Sequence, residues 1–112
     1  MQLKTISMLW LTAMLSWTAQ ARNIRVTRVT DKVAVFRVEE VSNASITAIA
    51  TPEGLIEVDT EISPNTIEMV KTKMKETFPG KDFLYAVNTH AHAYHAGGNA
   101  VFNDIPVIQI RL

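Results

Sequence analysis

The sequence predicts a mixed α/β domain in which an antiparallel meander is followed by a strand–helix–strand unit. Three observations carry this reading. Short runs of alternating or β-branched apolar residues recur between Ile24 and Val58. One stretch, Pro64 to Thr77, switches to a helical period. An apolar run at Phe83 to Val87 then leads into a six-residue window holding all 3 histidines of the chain.

The elements follow in order. Met1 to Lys4 is a short basic start, Ile6 to Trp17 is apolar, and Ala19-Gln20-Ala21 matches an A-x-A cleavage site. Residues 1–21 therefore read as a signal peptide, too short to span a membrane comfortably, with a mature domain over 22–112 that is periplasmic or secreted. Ile24 to Val29 alternates as a half-buried strand does. Thr30-Asp31-Lys32 is a turn, and Val33 to Val38 and Ile46 to Ala50 are further strands, separated by the polar stretch Glu39 to Ala44. Asn43-Ala44-Ser45 reads as a polar turn. After Pro52-Glu53-Gly54, the apolar run Leu55 to Val58 suits a buried strand, with Asp59 at its carboxyl edge. That acid either orients a ligand or caps the following turn.

Ser63 can cap a helix whose first position is Pro64. Ile67, Val70, Met74 and Phe78 then recur every three or four residues along one face, Lys71, Lys73 and Lys75 form a solvated face, and Pro79-Gly80 stops the helix. Two apolar strands joined by a helix call for a parallel crossover, and ligands in such sheets sit beyond the carboxyl ends of the strands. Val101, Phe102, Ile105, Val107, Ile108 and Ile110 are a late apolar cluster expected to seek a partner layer, by homo-oligomer formation or aggregation.

Composition narrows the function. Lys plus Arg and Asp plus Glu number 11 each, so no basic stripe for nucleic acid is expected. With 47% apolar and 20% charged residues, general disorder is excluded. The absence of cysteine excludes disulfides, thiolate metal sites and thiol nucleophiles.

The histidine window reads Asn88-Thr89-His90-Ala91-His92-Ala93-Tyr94-His95-Ala96-Gly97-Gly98-Asn99. His90 and His92 project to one side of an extended stretch. His95 stays near His92 if the chain turns into a helical bend, and Gly97 and Gly98 allow a tight backbone turn. Imidazoles so grouped suit zinc. The alternative is a set of ordinary surface or core histidines.

Together with Gly54-Leu55-Ile56-Glu57-Val58-Asp59-Thr60, this window resembles the metallo-β-lactamase-fold hydrolases, whose signature is HxHxDH followed by Gly-Gly-Asn. The resemblance spans Val33 to Ile110. It implies the N-terminal part of an αββα sandwich with a metal site at the rim between two sheets. His90 and His92 would be ligands of a first zinc and His95 of a second, with Asp59 in support. Tyr94 stands where the signature has its aspartate, and a phenol is a poor ligand at neutral pH. The family's later ligands have no counterpart in this chain. One zinc is thus expected rather than two, and no catalytic residue is assigned. Three readings remain open: a zinc hydrolase of a small ester, amide or β-lactam substrate, a silent truncated chain, or a small periplasmic metal-binding module.

Overall fold

The computed structural model describes residues 23–39, 44–60 and 63–109. The leader with its cleavage site, Asn43, Ile110 and the side chain of Tyr94 lie outside the described residues. The strands are β1 (Ile24–Arg28), β2 (Val33–Val38), β3 (Ile46–Ala50), β4 (Leu55–Val58), β5 (Phe83–Asn88) and β6 (Val107–Gln109). They form one sheet in sequence order. β1 to β4 make the antiparallel meander, while β4–β5 and β5–β6 pair in parallel. The expected mixed α/β architecture is therefore present. No helix among the described residues is long and apolar enough to cross a membrane.

Helix α1 (Pro64–Thr77) supplies the β4–β5 crossover. Its start follows from local chemistry. The Ser63 hydroxyl accepts from Thr66 N at 3.3 Å, and Pro64 occupies a position whose N–H would have no helical partner. Gly80 closes the exit with φ +76°. Ile67, Val70 and Met74 are fully buried against Ala34, Phe36, Ile46, Ala48, Leu55 and Ala86 of the sheet. Lys71 departs from the solvated reading of the lysines. Its ammonium donates to Val101 O at 3.3 Å and lies 4.8 Å from the centre of the Phe102 ring, so a charged head and its stem bind the late segment to α1.

That late segment does more than the apolar pattern indicated. Asn99–Phe102 is a 3-10 turn, Phe102 is buried in the core, and Val101 and Ile105 pack against it. Val107–Gln109 then extends the same sheet. The chain's own helix and sheet thus cover Phe102, with Val101 and Ile105 partly buried beside it. Val107 and Ile108 remain exposed, at 37% and 50%.

The register assigns the two faces. Ala34, Ala48, Glu57 and Ala86 stand side by side beneath α1. On the opposite face, Val35, Thr47, Val58, Val87 and Ile108 form one row, and Val33, Ile49, Ile56 and Tyr85 another. No described helix or strand covers this second face.

Candidate metal centre at the ends of β4 and β5

The site starts from one backbone irregularity. Asp59, directly after β4, has φ +66°, the one non-glycine residue with positive φ among those described. Aspartate tolerates this region better than most residues, because its short polar chain bonds locally. The backbone there is tied on both sides: Asp59 N donates to Val87 O at 2.8 Å and Thr60 N to His95 O at 2.7 Å. This turn buries the Asp59 carboxylate, leaving the residue 5% exposed.

Asp59 collects the beginning and end of the histidine window. Its Oδ1 accepts from Thr89 N at 2.8 Å, and the Thr89 hydroxyl lies 3.1 and 2.9 Å from the two carboxylate oxygens. Its Oδ2 is 2.8 Å from His95 Nδ1. A carboxylate only accepts, so His95 Nδ1 donates, and in the neutral ring Nε2 is the nitrogen with the lone pair. Thr89 Oγ1 is also 2.9 Å from His90 Nδ1. The single hydroxyl proton favours the charged acceptor, which leaves Oγ1 to accept from His90 Nδ1–H. His90 is thereby held in the same tautomer, with Nε2 bare.

The bend that brings His95 back is helical. His95 N and Ala96 N both donate to His92 O, at 2.9 and 3.0 Å, opening the short helix α2 (Ala93–Ala96). The rings gather as a result. The His90 and His92 centroids are 4.5 Å apart at 79°, and those of His90 and His95 are 4.0 Å apart at 45°. The rings touch one another rather than surrounding one point. No group of three or more His, Cys, Asp or Glu arranged to hold a metal occurs among the described residues. The donor chemistry nevertheless suits zinc: imidazoles with a free nitrogen, two of them fixed through the other nitrogen by a carboxylate or a hydroxyl on that carboxylate.

Gly98 acts by its size rather than its dihedral freedom. Its φ is −92°, ordinary for any residue, which corrects the expected reason for a glycine at this position. A Cβ there would lie 2.1 Å from Thr60 O and 2.8 Å from Ile67 Cγ2. Gly97 beside it is exposed. The close approach at Gly98 lets the Thr60 hydroxyl reach Asn99 Oδ1 at 2.6 Å, fastening the loop's far end to β4.

Sequence reasoning passed over Thr89, Thr60 and Glu57. Thr89 gave no signal beyond its place before His90. Glu57 did: an acid within an otherwise apolar run on a buried strand is costly and calls for a reason. It is fully buried, with no hydrogen-bond partner for either oxygen. Burial, reinforced by the charge of Asp59, pushes its carboxyl up to about 9. A surface cleft of about 350 Å³ between α1 and β5 is lined by Lys71, Thr72, Lys75, Asp82, Phe83 and Asp104, none of which belongs to this site.

Known structures share this arrangement of elements. A metallo-β-lactamase from Pontibacter korlensis superposes with TM-score 0.67 at 24% identity, over 78% of this chain and 43% of its own. The metallo-β-lactamase FIM-1 from Pseudomonas aeruginosa, solved in a mono-zinc form, gives 0.65 at 19% identity, over 77% of this chain and 41% of its own. The sec-alkylsulfatase Pisa1 from Pseudomonas sp. gives 0.61 at 24% identity, over 70% of this chain and 12% of its own. No protein-family model matches the sequence, and no curated protein matches it. The chain spans about two fifths of the length of the β-lactamases it resembles. Over that span it has the metallo-β-lactamase fold.

Proposed function

We propose that this chain contributes the histidine end of a zinc site in an exported hydrolase of metallo-β-lactamase fold. His90 and His92 hold one zinc ion, with His95 beside them. The observation that carries this reading is the shared anchor: Asp59 fixes His95 directly and His90 through Thr89, the outer-shell pattern typical of metal-ligating histidines. Zinc bound there would polarise a carbonyl and lower the pKa of its water toward neutrality. The chain's own part is to orient the His90 and His95 rings through their Nδ1 atoms, leaving Nε2 of each as the nitrogen that can face a metal. β-Lactamases and an alkylsulfatase share the fold, so the fold alone selects no substrate.

A second reading, a metal-binding module without turnover, draws on Tyr94 in the signature's aspartate position. Dialysis against zinc followed by metal analysis tests the site itself. About one zinc per chain is expected, with most of it lost in His92→Ala; equal zinc content in the two would remove the proposal. Hydrolysis of a chromogenic β-lactam and a p-nitrophenyl ester by the zinc-loaded chain then separates hydrolase from binding module.

A further inference from the structure

The five buried polar residues of the described chain, Glu57, Asp59, Thr60, Thr66 and Asn88, occupy the ends of β4 and β5 and the start of α1. Asp59 and Thr60 are satisfied by the histidine window, and Thr66 N by Ser63. Glu57 and Asn88 are not: both oxygens of the one and both polar side-chain atoms of the other lack a partner, at 0% exposure. Their positions are linked. Glu57 is opposite Ala86 in the β4–β5 register, so Asn88, two residues on, stands diagonally beside it on the same face. The Cα atoms are then roughly 8 Å apart, close enough for both side chains to reach a single molecule between them. Ala48 and Ala86 flank Glu57 on either side, and neither side chain extends past Cβ.

We propose that Glu57 and Asn88 together bind one internal water molecule beneath the histidine window. The donors and acceptors match. A protonated carboxyl offers one O–H and a carbonyl oxygen, and the amide offers two N–H groups and an oxygen. A water accepting from Glu57 O–H and Asn88 Nδ2–H, and donating to the remaining oxygens, satisfies groups that are rarely left unpaired in protein interiors. A metal ion fits worse, because the acid is neutral at its raised pKa and hard cations want six or more oxygens. Asn88 lies two residues before His90, so the water secures the base of the window from inside the core. This inference is independent of zinc.

The test is nuclear magnetic resonance on the unmodified, isotope-labelled chain without metal. A cross-relaxation peak between the Asn88 side-chain amide and water is expected, with the sign of a long-lived contact. Its absence overturns the proposal. Glu57→Gln removes the acid proton, which could relay such a signal by exchange with solvent. The peak is expected to persist in Glu57→Gln, and its loss there overturns the proposal as well. Should that variant not fold, a high-resolution crystal structure of the unmodified chain decides instead. A water within hydrogen-bond distance of both side chains supports the proposal, and a direct Glu57–Asn88 bond refutes it.

Discussion

Glu57→Gln converts an unusual burial into a measurable pH dependence. The ordinary carboxyl value of 4.5 rises to about 9 in the folded chain, through burial first and the charge of Asp59 second. Below pH 4.5 the folded and unfolded chains both carry the proton, and its stabilising contribution is complete. Above that, the unfolded carboxyl ionises while the folded one stays protonated. Stability then falls by about 1.4 kcal/mol per pH unit until the folded group also ionises. At pH 7 the accumulated loss is about 3 kcal/mol, a large share of the roughly 5–15 kcal/mol that a small domain possesses. Glutamine has nearly the same shape and no proton to lose. Denaturant unfolding of both proteins from pH 5 to pH 8 provides the assay, and the histidines, present in each, cancel in the difference. The variant should match the parent near pH 5 and exceed it by about 3 kcal/mol at pH 7. Parallel stability curves across that range would refute a neutral, buried Glu57.

Three further outcomes follow from the site geometry. Gly98→Ala should cost roughly 2–4 kcal/mol in chemical unfolding, since its Cβ would enter the van der Waals shell of Thr60 O at 2.1 Å; a neutral result would mean the loop shifts freely. Thr89→Val removes the hydroxyl between Asp59 and His90 and should weaken zinc binding about 10-fold or more by competition titration, while Thr89→Ser retains it. Tyr94→Asp restores a carboxylate beside His95 and should raise zinc affinity or stoichiometry, measured as metal per chain; a lower melting temperature with unchanged zinc would instead assign Tyr94 to packing.

Legibility in the sequence divides along physical lines. Periodic elements could be read because burial repeats along them: the alternation of Val33 to Val38, the stripe Ile67, Val70 and Met74, and the Ser63-Pro64 start all reappear in the fold. The spacing brings His95 back toward His92 only if the chain bends helically there, and the bonds of His95 N and Ala96 N to His92 O supply that bend. β6 was hidden because three exposed residues have no face to alternate against; their pairing partners in β5 lie 21 residues earlier. Lys71 read as solvated because helical position alone says nothing of the Phe102 ring brought beneath it by the later chain. The Asp59 contacts to Thr89 and His95 were invisible for a related reason. They span 30 and 36 residues and depend on one left-handed dihedral. Glu57 was the reverse case, a visible anomaly without a visible partner.

Zinc ligation by the clustered histidines is the proposed role of this chain. X-ray absorption at the zinc edge of the loaded chain measures this most directly, because imidazole rings leave a recognisable multiple-scattering pattern. Two or three imidazole nitrogens are expected at about 2.0–2.1 Å from the ion, falling by one in His90→Ala. A shell of oxygens alone, or an imidazole count unchanged in that variant, would contradict it.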